Sequence, residues 1–538
     1  MRLFKLFFLF VLFTLPSLSF CQEWIKTFDI QNNTCSRQLQ ESYDGGILIG
    51  AAIGVGNTYK IGWLIKTDVN GNTLWEKKLG NGSKMWSIHG LDVALDGGII
   101  LVGTCDTLGE DWDPFVIKLN PCGQIDWCKI FRTENQSDYG RKILSLADGS
   151  YIMQIHSLGN GTVGQFIQLN HIDSIGEIIW EQIYFPEDSL GSSFLEYGLT
   201  LTPDDKILIS GICYHTIYAQ SSPQWVWPLL IMADLTGESE WELPWGYTLP
   251  FPVQVGGEGF QSVQIGSTIY SSISNYHWPG ANFYSPCLIK TTTSGSEISY
   301  NDLIGNTTFG KASTISKLSD SILFIGTGYQ KPAGQNKLSV LKTDTTGSIL
   351  KEKILNNSEF VPNDAIFTHD KKYLITAQDY INYNIFYLWK LNKNLEYDSI
   401  YTKPRVYDSL CPHPITSSTI YSTCDLATSV REPAFNTERV KMHLFPNPAS
   451  TVLHVEMPEC IQKNSKTEHL NVTTILHKWN KELQLRVFDF MGRQEFYKSV
   501  KPQEKEVILD VSSWQSGMYF FQLLYGDTVV AEAKGFVN

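Results

Sequence analysis

Apolar runs recur along the first three quarters of the chain, each announced by a turn and followed by a more polar stretch. One kind of run follows an Asp-Gly-Gly step: DGGILIG from Asp44, DGGIILVG from Asp96, DGSYIMQI from Asp148 and DDKILISG from Asp204. Looser copies begin at Ile265, Ser319 and His369. The second kind reads IKTDVNGNTLW from Ile65 to Trp75, and returns from Ile117, Ile167, Ile231, Ile289, Leu341 and Trp389. Its turn glycines, Gly71, Gly123, Gly176, Gly237, Gly295 and Gly347, are 52, 53, 61, 58 and 52 residues apart. The continuous Ile/Leu/Val runs predict strands buried on both faces. The Gly-containing steps predict tight turns, because glycine accepts the positive φ that hairpins need.

Such a unit is a small antiparallel sheet that cannot bury its own faces, whereas a ring of them can. The fold predicted is all-β, a seven-bladed β-propeller over 22–404. Six blades or an open solenoid is the alternative. A surplus copy of the outer strand, EWIKTFD, stands near the N-terminus. It predicts that Trp24–Phe28 pairs into the blade carrying Ile385–Tyr397 and leaves no open sheet edge.

The pattern lapses over 405–440, which reads as a linker. From 441 to 538 short alternating strands return, with turns at Met491-Gly492, Ser516-Gly517 and Gly526-Asp527. They predict a small C-terminal β-sandwich.

The first 21 residues carry two positive charges, an apolar run from Leu6 to Phe13, and then proline and small residues. They read as a signal peptide cleaved between Cys21 and Gln22, with a lipidated Cys21 as the rival. No later run is long enough to span a membrane. A formal net charge of −13 repels phosphate backbones and argues against nucleic acid as a partner. Ten cysteines in an exported chain permit disulfides. Cys411 and Cys424 frame a Pro- and Ser/Thr-rich loop and are expected to pair. Cys122 and Cys128, which flank one turn, are expected to stay as small buried side chains.

The repeat resembles that of the delta-60 bacterial surface proteins, in which a Gly-Gly apolar strand precedes a Lys-x-Asp/Asn-x-x-Gly turn. TDVNGNTLW also looks like the turn of quinoprotein repeats, and loosely like the Asp-box of sialidases. In all of these the turn serves the scaffold, so the likeness implies fold and not chemistry. The tail resembles the type A C-terminal sorting domain of the type IX secretion system. The match is carried by Pro446, Asn447 and Pro448, by VFDFMGR with Gly492, by SGMYFFQL with Gly517 and Tyr519, and by the ending from Lys534. Cys460 to Asn480 look like an insertion, and the ending is less basic than that family's pattern. The resemblance implies a type IX translocon and a sorting peptidase as partners. It also implies a secreted or cell-surface location.

No nucleophile elbow, zinc-protease motif or phosphate loop is present. Two aromatic stretches, Tyr214 to Pro228 and Asn275 to Pro286, predict rim loops in neighbouring blades. Trp225, Trp227, Tyr276, Trp278 and Tyr284 are the candidates there for stacking on a glycan or gripping a surface protein. Asp106, Glu110, Asp111 and Asp113 are candidate calcium ligands, although the EF-hand spacing is missing. No catalytic residue and no other cofactor is expected. The reading is a non-enzymatic binding or adhesion module. A quinoprotein-like enzyme, a glycan-active hydrolase and a structural envelope component are the alternatives.

Overall fold

The computed structural model describes residues 24–428 and 440–538, apart from 457–482, several loop segments (30–32, 56–57, 107–110, 133–136, 159–164, 185–192, 216–224, 245–255, 278–282, 380–384 and 421–423) and a few shorter ones. The leader with its cleavage pair Cys21 and Gln22 lies outside the described residues. Among the described residues every regular element is a β-strand, and no helix is long and apolar enough to cross a membrane.

The first of two compact units, residues 1–429, is propeller-like. Among its described residues are seven sheets: six have four consecutive antiparallel strands in chain order, and the seventh has three, completed by the N-terminal strand. The first sheet runs Thr34–Glu41, Ile47–Val55, Thr58–Thr67 and Thr73–Leu79. Both repeat signatures are turns within these sheets. In the second signature Gly71 sits at φ 74° and its N–H donates to the Asp68 carbonyl, while Asp68 Oδ1 accepts from the backbone of Asn70 and Asn72. In the degenerate copies Asp205, Lys371 and Leu395 take the positive-φ position, so the turn survives loss of its glycine.

The two signatures also meet across each of the first two sheets. Lys66 Nζ lies 2.6 Å from Asp44, and Lys118 Nζ lies 2.7 Å from Asp96. The Lys of one signature thus neutralises the Asp of the other.

Each sheet's first strand contacts the first strands of the sheets before and after it, and the seventh contacts the first. Clusters of buried apolar residues fill the spaces between sheets; one joins Leu48, Leu64 and Trp75 to Leu101, Phe115 and Ile117. Polar side chains stitch the first strands together. Gln40 Nε2 donates to Asp92 Oδ1 at 2.6 Å, and Asp92 Oδ2 accepts from Ser145 N at 2.8 Å. Gln261 Nε2 donates to Asp364 Oδ1 at 2.8 Å, and Asp364 Oδ2 accepts from Leu39 N at 2.7 Å.

The circuit is closed by the N-terminal strand. Ile25–Asp29 pairs with Ile385–Leu391, in the register Ile25↔Trp389 to Asp29↔Ile385. Phe28 is buried and stacks on Phe386 with ring centroids 4.9 Å apart. Phe28→Ala is expected to cost about 3–5 kcal/mol, the usual range for deleting a buried ring. Denaturant titration of the purified protein checks this; an unshifted midpoint would show that the strand does not hold the ring.

The segment expected to be a linker is largely a strap instead. Residues 405–420 and 424–428 lie along the first two sheets of the same unit. Ser418–Ile420 adds a parallel strand to Lys77–Leu79, and Asp425–Thr428 adds one to Lys129–Arg132. Both cover sheet edges that would otherwise present unpaired backbone groups. The expected Cys411–Cys424 pair does not form. Cys411 bonds Cys122 and Cys424 bonds Cys128, so the two cysteines expected to remain single tie the strap to the second sheet. Spacing along the chain cannot reveal such a pairing, because the partners are 289 and 296 residues apart.

The second unit, residues 430–538, shows two sheets among its described residues. One holds Val440–Lys441, Thr528–Val537, Gly517–Tyr525, Leu483–Asp489 and Gln494–Val500; the other holds His443–Phe445, Val452–Glu456 and Glu506–Asp510. Their apolar faces share one core that includes Leu453, Val455, Leu485, Val487, Leu509 and Phe521.

Candidate functional site

The first strands of all seven sheets carry a β-bulge at an equivalent place. The register shifts at Arg37, His89 and Arg141 in the first three sheets. It shifts at Tyr197 and Phe260 in the next two, and at Ser313 and Asn363 in the last two. A bulge inserts one residue without a cross-strand partner and re-aims its side chain. Because the seven strands face one another around the circuit, all seven residues line a single cavity of about 310 Å³.

The lining changes character around the ring. Arg37, Arg141 and Lys142 form a basic arc that, with His89 between the two arginines, spans three consecutive sheets. Tyr197 and Phe260, with ring centroids 5.1 Å apart, form an aromatic arc on the next two, and Lys311 Nζ lies 5.5 Å from the Phe260 centroid. The amide residues Gln261 and Asn363 contribute to the rest; Asn363 Nδ2 donates to the Ser36 carbonyl at 2.9 Å. No carboxylate stands among the described lining residues. Asp92 and Asp364, on the same strands, have their oxygens engaged by backbone N–H groups and by Gln40 and Gln261.

Electrostatics follow from this crowding. Burial pushes the His89 pKa well below its ordinary value, and the Arg37 and Arg141 charges add to the effect. His89 Nδ1 donates to the Gly140 carbonyl at 2.9 Å, which leaves a neutral ring with Nε2 as an acceptor. Lys142 is lowered too, first by burial and then by Arg37 and Arg141, against the opposing pull of Asp364. Arg141 lies 4.9 Å from the Tyr139 ring centroid, and burial raises the Tyr139 phenol. The guanidinium groups keep their charge in any case, so the arc is positive inside a chain of net charge −13.

The candidates from the sequence are elsewhere. The described residues of the two aromatic stretches, 214–215, 225–228, 275–277 and 283–286, are strand. Trp225 and Trp227 sit on Trp225–Ala233, and Tyr276 stands directly opposite Tyr284 in the ladder of Thr268–His277 with Phe283–Thr292. Trp227 is 6% exposed, which corrects the expectation of a stacking surface at that residue. The side chains of Trp225, Tyr276 and Tyr284, and the whole of Trp278, lie outside the description. Of the acidic candidates, Asp106 Oδ1 accepts from Met85 N at 2.5 Å, Asp113 is buried, Asp111 is half-buried and Glu110 lies outside the described residues. Among the described residues no group of three acidic, His or Cys side chains is placed to hold a metal ion.

The cavity residues were missed because a bulge imposes a position and not a residue type. One signal does exist in the sequence. In five sheets the bulge residue stands eight positions before the left-handed turn residue: Arg37 before Gly45, His89 before Gly97, Arg141 before Gly149, Tyr197 before Asp205 and Asn363 before Lys371.

In the second unit Asn447 holds the C-terminal strand. Its Oδ1 accepts from Phe536 N at 2.8 Å and its Nδ2 donates to the Lys534 carbonyl at 3.3 Å, so the Pro446-Asn447-Pro448 motif is fastened to the chain's end. Gly517 opens the strand that pairs with this end, Lys534 Nζ lies 5.6 Å from the Phe520 ring centroid, and Tyr519 is buried with its hydroxyl donating to Gln515. Gly492 lies outside the described residues. Residues 443–534 match the secretion system C-terminal sorting domain. The sorting domain accounts for the second unit only. No curated protein matches the chain in sequence. Among solved structures the chain is similar to an ulvan polysaccharide lyase (10% identity, TM-score 0.44, covering 68% of this chain and 96% of that one). It is also similar to an α-L-arabinofuranosidase from Fusarium graminearum (12%, TM-score 0.38, 60% and 99%). A third is a subtype N11 neuraminidase-like protein of A/flat-faced bat/Peru/033/2010 (H18N11) (14%, TM-score 0.37, 60% and 90%). At these scores the likenesses carry no argument about this chain's chemistry.

Proposed function

We propose that this chain is a type IX-secreted, seven-bladed β-propeller, delivered to the cell surface or the medium, which binds a glycan or surface-protein ligand without turning it over. In this reading residues 1–21 are a cleaved leader, the seven sheets are the blades, and the strap extends the ring to residue 428. The second unit is the β-sandwich that the translocon and the sorting peptidase recognise. The observation that carries the binding role is the set of seven equivalent bulges, which direct one side chain from each sheet into one cavity. A rigid ring suits this task, because side chains fixed before binding lose little freedom on contact. The lining favours binding over glycoside hydrolysis, since the paired carboxylates of that chemistry are missing from its described residues.

The test has two parts. Deleting residues 443–538 is expected to leave the protein inside the cell envelope, where the full chain appears outside; normal delivery of the truncated chain would overturn the sorting role. The purified protein is then presented to glycan and surface-protein arrays. Capture without product is expected, and product formation would replace the binding reading with an enzymatic one.

A further inference from the structure

The cavity at the centre of the ring has two unlike walls, and we infer that it holds a short saccharide bearing a carboxylate or sulfate group. This rests on the cavity being the binding site. The anionic group sits in the arc of Arg37 and Arg141, backed by Lys142, and the sugar ring lies against Tyr197 and Phe260.

Three observations lead there. First, two guanidinium groups on alternate sheets, with a lysine beside one of them, match an oxyanion that takes two parallel N–H bonds from an arginine fork. The charge of that fork does not depend on the protonation of Lys142 or His89. Second, the aromatic pair continues the wall beyond the Arg37/Arg141 arc, with Lys311 Nζ 5.5 Å from the Phe260 centroid, and Tyr197 is 38% exposed. An aromatic face beside polar groups accommodates the C–H face of a sugar, while neutral His89 offers Nε2 to a hydroxyl. A lone inorganic ion has no use for that wall. Third, about 310 Å³ stands at the low end of the roughly 300–1,000 Å³ of small-molecule sites, room for a sugar or two.

The contrast of charge between cavity and chain also limits the ligand. The chain as a whole is strongly negative, so a long polyanion is repelled by most of the surface while a single anionic group is drawn into the cavity. A short saccharide with one or a few acidic groups satisfies both conditions.

The test is calorimetric titration of the purified full-length protein with four probes: a uronate-bearing oligosaccharide, a sulfated one, their uncharged counterpart, and free inorganic sulfate. One of the two anionic saccharides is expected to bind about 10–100-fold more tightly than the uncharged one, the usual worth of charge-assisted hydrogen bonds. The R37A/R141A variant is expected to lose that margin, and Arg37→Lys to recover part of it by restoring charge without the fork. Should the double variant fail to fold, Tyr197→Ala tests the other wall at an exposed position. It is expected to weaken the saccharide and leave free sulfate unchanged. Uncharged saccharide bound as tightly as anionic, and lost in Tyr197→Ala, would overturn this inference while keeping the cavity as the site. Free sulfate bound as tightly as any saccharide would reduce the site to an anion site and overturn it as well. Silence from all four probes would sink both the inference and the cavity's binding role for glycans.

Discussion

Replacing Lys66 with alanine is expected to destabilise the ring by about 3–5 kcal/mol, the range for removing one partner of a buried ion pair. Lys66 comes from the strand Thr58–Thr67, and its side chain is 2% exposed. Its Nζ lies 2.6 Å from Asp44 and 2.5 Å from Asp408 of the strap, with Tyr43 and Trp75 rings on either hand. Asp408 is engaged further: its backbone N–H donates to Asp44 Oδ2 at 2.8 Å, and its Oδ2 accepts from Trp75 Nε1 at 3.1 Å. Without the ammonium two carboxylates face each other in a dry site. Both the ring and the strap are then weakened at one point.

The acid dependence supplies a second readout. Burial raises the Asp44 pKa, but the Asp408 N–H, Lys66 and the Gly46 N–H outweigh it and hold the carboxyl below its ordinary value. A depressed carboxylate adds stability that is present above the ordinary value and is lost as pH falls through the depressed one. Lys66→Ala is expected to remove that stability at neutral pH and to flatten the loss below about pH 4. Denaturant midpoints of both proteins between neutral and acid pH check this. Equal midpoints throughout would show that the triad contributes nothing. Replacing Lys66, Asp44 and Asp408 together with apolar residues of similar volume is expected to restore much of the loss, because no charge is then left unpaired.

Replacing Cys122 and Cys128 together with serine is expected to release the strap and lower stability by roughly 3–6 kcal/mol, where a single native disulfide contributes about 2–5. The two bonds close loops of 289 and 296 residues, but the loops overlap and interleave along the chain. Once one is made, the other closes only a short path through the strap and adds less. Loop-closure entropy grows slowly with length, so the great separation does not multiply the effect. What remains without the bonds is modest: two short parallel strands, the Lys66 triad and polar contacts such as Lys77 Nζ to the Thr416 carbonyl at 2.9 Å. Limited proteolysis between residues 405 and 428, followed by mass spectrometry, is expected to cut the serine variant and spare the native protein. Equal resistance, with an unchanged unfolding midpoint, would show that the strap is held by its other contacts.

Much of the fold was legible in the chain because it is built from local rules repeated. The turn after Asp68 needs one acceptor side chain and one residue at positive φ, and both can be seen within five residues. The surplus N-terminal strand was legible for a similar reason: a ring leaves one edge to be completed, and Ile25–Asp29 carries the outer-strand pattern. The strap was not legible, since Cys411 and Asp408 find partners hundreds of residues away and their neighbours have little apolar periodicity. The aromatic candidates failed at Trp227 because a Trp in a strand serves equally well as core, and burial is decided by the neighbouring sheet.

The sequence by itself determined that this chain repeats a β-unit, that the unit's faces are too apolar to stand alone, and that a sorting domain follows. Those are consequences of period, turn chemistry and short motifs, each written within a few dozen residues. Only the tertiary structure decided which side chains share a cavity. Arg37, Arg141 and Tyr197 are unrelated in type and far apart in the chain, and they meet because seven bulged strands face one axis. A bulge at a fixed place constrains the backbone but not the side chain, so the scaffold can repeat while each sheet contributes a different group to the site.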